Sequence, residues 1–156
     1  MGLVAWELAV DEERVLEAWE RAQADGLIKP AGKDPLHGEQ MWQLTAVIER
    51  YRVASNGELV FELFDIPSSM YMNAYMPNPK CLSKTTRGRA SILAARTAFT
   101  KVCPAATPAW QPLGATAKLT GVGFWNPVKT TIGALGNGAE LRPITGFELV
   151  QGCGKY

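Results

Sequence analysis

Lys118 to Val150, KLTGVGFWNPVKTTIGALGNGAELRPITGFELV, is the stretch that decides the fold. Thr120, Val122 and Phe124 alternate with Gly121, Gly123 and Trp125, which is the two-residue period of a strand. Two glycines inside one strand strip a face of its side chains. Such a face predicts a barrel bend or the close approach of something else to the backbone. Gly133 to Gly138 is too rich in glycine to pack and predicts an exposed loop with a turn at Asn137-Gly138. A short extended piece and a closing strand, Gly146 to Val150, complete the stretch. It therefore predicts the last two strands of a small β-barrel.

Upstream, the pattern supplies the other strands. Trp42, Leu44, Ala46 and Ile48 alternate with polar neighbours, and Tyr51 and Val53 continue the apolar pattern on odd positions. That change of phase predicts a bulge or coil near Glu49 in a strand from Met41 to Val53. Ser55-Asn56-Gly57 predicts a hairpin, with Leu59, Phe61 and Leu63 on one face of the return strand, Glu58 to Asp65. Met70 to Met76 predicts a third strand, with Tyr71, Asn73 and Tyr75 facing one way and the methionines and Ala74 the other. A basic loop, Lys80 to Arg89, leads into a helix to about Cys103, with Ile92, Ala95, Phe99 and Val102 on one face. A proline-rich connection, residues 104–114, holds Trp110. The fourth strand spans Ala115 to Trp125.

The order β-β-β-α-β-β, with a long curved first strand and a helix between the third and fourth, predicts an α+β, mainly β fold: an OB-like five-stranded barrel over residues 39–152. Residues 1–38 form an appendage. There Val4 to Val10 reads as a short strand or the approach to a helix, Asp11 caps a helix to about Ala24, and residues 29–39 read as a loop rich in Pro and Gly. A chain of 156 residues is one domain by default.

Charge is segregated. Residues 1–65 carry 13 acidic and 6 basic side chains, and the 74 residues from Ile66 to Ala139 carry eight basic ones and no acid. The run predicts a positive face suited to a polyanion, nucleic acid first; the alternative is that the two halves neutralise each other. No apolar run reaches the roughly 20 residues of a membrane helix, so no membrane partner is expected. The N-terminus shows no signal peptide, which favours the cytoplasm, though an exported form with its signal removed is not excluded. Cys81, Cys103 and Cys153 lack metal-ligand spacing; a Cys81–Cys103 disulfide across the helix or free thiols are the two readings.

Thr120-Gly121-Val122-Gly123-Phe124-Trp125 and Asn137-Gly138-Ala139-Glu140-Leu141-Arg142-Pro143-Ile144 resemble the TGVGFFD…NGIELHPV signature of a group of uncharacterised bacterial OB-fold-like proteins. Pro77-Asn78-Pro79-Lys80-Cys81, ahead of the Ala/Arg-rich helix Ala90 to Thr100, matches their P-x-P-x-C element. The resemblance covers roughly residues 41–150 and leaves the N-terminal helix outside. It implies the fold and carries no activity. Asn126 stands where Asp is usual and Arg142 where His is usual, so any catalysis resting on those positions would be lost here.

Little in the chain points to catalysis. The single histidine, His37, lies in a loop, and no Ser/His/Asp or Cys/His arrangement can be assembled. Paired carboxylates would have to come from Asp65, Glu140 or Glu148. The glycine-rich span matches neither a P-loop nor a dinucleotide fingerprint, so no cofactor is expected. Binding is the better expectation. An OB-fold reads single strands with aromatic side chains and a cationic groove. Stacking candidates are Tyr51, Phe61, Tyr71, Tyr75 and Trp125, with Phe61 expected in the core. Phosphate contacts are expected from Arg50, Arg52, Lys80, Lys84, Arg87, Arg89, Lys118 and Lys129. Two alternatives stand beside this. One is an interaction or homo-oligomerisation module using the Met/Tyr strand as a sheet edge; the other is a small-ligand or saccharide pocket at the barrel mouth lined by Trp42, Tyr51 and Trp125.

Overall fold

The computed structural model describes residues 29–33, 40–67, 69–86, 88–125 and 139–154. The expected N-terminal helix, His37, Arg87, Asn126, Lys129 and the 133–138 loop lie outside the described residues. Strand β1 is Lys29–Lys33, β2 Gln40–Val53, β3 Leu59–Asp65 and β4 Met70–Met76. A 3-10 turn at Pro79–Cys81 precedes helix α1, Arg89–Val102, and β5 (Gln111–Trp125) and β6 (Ala139–Gln151) follow.

The fold is mainly β with one helix among the described residues, and its sheet closes on itself. β2 pairs antiparallel with β3 on one side and β5 on the other. β3 pairs with β4 and β5 with β6, both antiparallel. β4 and β6 then meet in parallel, Ala74 opposite Leu141, and the ring is complete. β1 adds to the first half of β2 from outside.

The phase change read near Glu49 is the device that bends β2. Its register shifts between Ile48 and Arg50 against both neighbours. One extra residue turns the side-chain alternation over. Ile48 and Tyr51 consequently both point into the core, and Arg50 and Arg52 point out. The hairpin signal holds too: Ala54 N donates to Glu58 O and Gly57 N to Ala54 O, each at 2.8 Å. Gly57 has φ +82°, where a side chain would also collide with Asn78.

The core inside the ring is built from alternate residues of every strand, including Leu44, Phe61, Leu63, Met72, Met76, Leu119, Leu141 and Ile144. Helix α1 closes the end at which β2 and β4 finish. Its Phe99 ring packs edge-on against Phe61 (5.0 Å between centroids), Tyr51 (5.5 Å) and Phe147 (5.6 Å). Arg96 fastens the helix to the ring by donating from Nη1 to the carbonyls of Gly57, Met76 and Pro77 at 2.9–3.2 Å.

Several expectations need correction. Residues 29–33 are a strand and not a loop: an edge strand with pairing on one side tolerates Pro30 and Gly32. β5 begins at Gln111, because Gln111 pairs with Tyr51 across Pro112 and Gly114. β6 begins at Ala139, with register shifts around Gly121 and Gly123 absorbing the misfit. β4 is no exposed edge; it is flanked by β3 and β6, with Met72 and Met76 fully buried. Val102 is exposed, and Cys103 takes its place at the foot of the helix. Cys103 bonds to Cys153, not to Cys81, and so ties the helix to the chain after β6.

Two stability measurements test this account. Gly121 is where β6 comes closest: an added Cβ would stand 2.5 Å from Pro143 O and 2.9 Å from Leu141 Cγ. Gly121→Ala should therefore lower unfolding free energy by about 1–3 kcal/mol in denaturant titration, the usual penalty of overpacking. The Cys103–Cys153 bond spans 50 residues. Cys153→Ser should cost about 2–4 kcal/mol by removing the constraint on the unfolded chain.

Candidate functional site

Outward-facing residues of β4 and β6, with Glu58 just before β3, form a buried polar cluster beside the parallel seam. On β4, Tyr75 follows Ala74; on β6, Glu140 and Arg142 flank Leu141, so the inward pair that closes the ring has polar neighbours turned the other way. Tyr75 Oη donates to Glu140 Oε2 at 2.5 Å. Arg142 Nη2 donates to Glu58 Oε1 at 3.1 Å. The same guanidinium lies over the Tyr75 ring at 4.5 Å and the Phe124 ring at 5.6 Å. Glu58, Glu140 and Tyr75 are all buried.

The electrostatics follow from that burial. Loss of solvent, reinforced by the Glu140 carboxylate, keeps the Tyr75 hydroxyl protonated far above the ordinary phenol range. Burial raises Glu58 as well; Arg142 opposes the rise and Glu140 adds to it. Burial lowers Arg96, and Glu58 works against that shift. The Tyr75–Glu140 and Arg142–Glu58 contacts tie β4 to β6 and β6 to the residue before β3.

A second arrangement lies on the outer face of β2. Arg50 donates from Nε (2.9 Å) and Nη2 (2.8 Å) to Glu62 Oε2. Its guanidinium carbon is 4.6 Å from the centroid of Trp110, and that of Arg52 is 5.7 Å away. Farther along β3, Phe64 meets Tyr71 of β4 with centroids 4.7 Å apart.

The expected phosphate contacts divide in two. Arg50 is paired with Glu62, and Lys118 stands 3.7 Å from Glu148 on the surface. Among the described residues no carboxylate pairs with Arg52, Lys80, Lys84 or Arg89, nor with Lys101, a cation not among the expected contacts. Lys80 lies in the 3-10 turn, Lys84 in the loop after it, Arg89 at the start of α1 and Lys101 at its end. These four cations lie on the turn, loop and helix that cap the ring, none of them paired with a described carboxylate. Arg89 Nε is shielded from solvent and has no hydrogen-bond partner.

The aromatic candidates fare unevenly. Phe61 is in the core, as expected, and Tyr51 joins it, its hydroxyl donating to Pro104 O at 2.7 Å. Tyr75 is buried in the seam, and Tyr71 stays half-buried against Phe64. Trp125 is described by its backbone, which pairs with Ala139. The saccharide-pocket alternative loses two of its walls, because Trp42 and Tyr51 are core residues. A shallow groove of about 430 Å³ does exist elsewhere, between α1 and β6, lined by Ala98, Val102, Phe147 and Leu149 among others. Among the described residues no group of three His, Cys, Asp or Glu is placed to hold a metal ion. Trp110, Arg142 and Glu58 were missed. Only an aromatic stranded in a segment with no periodicity could have singled out Trp110.

No protein-family model, no curated protein and no solved structure matches the chain.

The seam makes two predictions. Arg142→Met removes the cation beside the buried Glu58, and should cost on the order of 3 kcal/mol in chemical denaturation. The Glu58 pKa is raised in the fold from an ordinary value of 4.5. Its contribution is thus fully present below pH 4.5 and lost as pH rises through the raised value. Relative to Glu58→Gln, the wild-type protein should lose stability as pH climbs from 4.5 toward 7. A relative gain would mean that the Arg142 pair outweighs burial.

Proposed function

We propose that this chain is a non-catalytic, OB-like barrel that binds a polyanion, single-stranded nucleic acid first, through the helix-capped end of the ring. Support for an OB-like barrel comes from the ring order β2-β3-β4-β6-β5, the parallel closure of β4 on β6 and a helix between the ring's third and fourth strands. The resemblance of its TGVGFW and NGAELRPI segments to OB-fold-like bacterial proteins points the same way. Fold analogy does not establish function.

The observation that carries the reading is the division of the cations. Lys80, Lys84, Arg89, Lys101 and Arg52 have no carboxylate partner among the described residues, while Arg50, Lys118 and Arg142 have one each. An acid-free sequence run could have been neutralised by the acidic first half of the chain. Among the described residues, which include four acids of that half (Glu49, Glu58, Glu62 and Asp65), no carboxylate pairs with these five cations. Cations left without partners around one end of a molecule attract a ligand with many negative charges and release its counterions on binding.

Fluorescence anisotropy with a labelled oligothymidylate, titrated at rising salt, tests this. Five engaged cations give a slope of log K against log salt of about −3.5, at roughly 0.7 per phosphate on a single strand. A triple Lys80/Lys84/Arg89→Ala variant should flatten the slope to about −1.4 by the same rule. Failure to bind at low salt would sink the proposal.

A further inference from the structure

Trp110 is held in place by more than its own packing. It sits on the connection between α1 and β5, which is laced to the end of β2. Tyr51 Oη donates to Pro104 O (2.7 Å), Val53 N to Thr107 O (2.9 Å) and Arg52 Nη1 to Pro108 O (3.5 Å). Within the connection Thr107 N donates to Gln111 Oε1 at 2.8 Å and Thr107 Oγ1 to Ala109 O at 3.1 Å. The connection is therefore not a loose tether.

The indole it carries is half-buried. Two guanidiniums lie over it, and one of them, Arg50, is locked in plane by two hydrogen bonds to the buried Glu62. Both fall within the roughly 6 Å over which a cation is drawn to an aromatic face. Arg52 keeps its charge uncompensated by any described carboxylate. A pre-fixed aromatic surface beside an unpaired cation has the two parts needed to hold one nucleotide: a π-face for the base and a charge for its phosphate. Phe64 and Tyr71 lie on the same outward face, beyond Glu62 in the strand direction, so a chain crossing from β2 to β4 meets a second pair of rings.

We infer that Trp110, braced by Arg50 and Arg52, is a stacking platform for an unpaired base, and that the polyanion is a single-stranded nucleic acid. This rests on the polyanion reading above and narrows it. A polyphosphate has no ring to lay on the indole, so a contribution of Trp110 that needs the base separates a nucleic-acid strand from a bare phosphate chain.

The test compares a labelled 12-mer oligothymidylate with an abasic 12-mer of equal charge, against wild-type protein and the variants Trp110→Ala, Trp110→Leu and Trp110→Tyr. Leu keeps the apolar cover over Arg50 while removing the π-face, so it separates stacking from loss of packing, and a thermal melt checks that each variant folds. The expected result is tighter wild-type binding of thymidylate than of the abasic strand. Trp110→Ala and Trp110→Leu should erase that preference with a loss of about 10- to 100-fold for thymidylate. Their affinity for the abasic strand should be unchanged, and Trp110→Tyr should recover much of the preference. Equal binding of both strands by the wild type, or equal loss on both in the Leu variant, overturns the stacking platform while leaving the polyanion reading intact. Absence of binding to either strand at low salt overturns both.

Discussion

The parallel meeting of β4 and β6 is the constraint on which the rest depends. Every other junction in the ring is an antiparallel ladder of several residues, whereas this one is registered through Ala74 opposite Leu141. A ladder so short cannot fix two strands by backbone hydrogen bonds alone. Side chains take over, with Tyr75 of β4 on Glu140 of β6 and Arg142 of β6 on Glu58 before β3. Burying three charges and a phenol there is costly by itself. It is offset by the pairing of Arg142 with Glu58, by the hydrogen bond from Tyr75 to Glu140, and by the faces of Tyr75 and Phe124 on which Arg142 lies. On the β5 side of the same strand, Gly121 leaves the room that lets β6 come in close.

Closure also decides which charges are left over. Arg142 was read from the sequence only as a departure from a histidine; in the structure its charge is consumed in the seam. Arg50 and Lys118 meet Glu62 and Glu148 by the cross-strand register, Arg50 opposite Glu62 and Lys118 opposite Glu148. The cations on the turn, the loop and the helix have no ladder to bring an acid to them. The stretch that contains them has none to offer. Thus the register neutralises Arg50 and Lys118, while Arg52 near the end of β2 and the cations of the turn, loop and helix have no described carboxylate partner.

What could be read beforehand is what local rules control. The Asn56-Gly57 turn, the irregularity near Glu49, the shared face of Met72, Ala74 and Met76, and the close approach at Gly121 are each encoded within a few residues. Partner choice is not. Tyr75, Glu140, Arg142 and Glu58 are brought together by topology, and no spacing announces them. Cys103 had two possible mates, and only the return of β6 past the foot of α1 decides for Cys153. β1 was hidden because Pro and Gly argue against a strand everywhere except at an edge, and periodicity cannot tell where the edge will be.

Arg50 and Arg52, two residues apart on one face, illustrate why proximity in sequence does not mean equal roles. Arg50 is neutralised by Glu62, so to a distant ligand it presents almost no net charge; what it contributes is a fixed surface beneath Trp110. Arg52 is held more loosely, by a single long contact to Pro108 O, and its charge remains available. A polar group that is fully satisfied gives shape and rigidity, and one left partly satisfied gives attraction. The outer face of β2 has one of each on the same indole. That pairing, rather than the number of basic residues nearby, is what distinguishes this place on the molecule from the surface lysines around it.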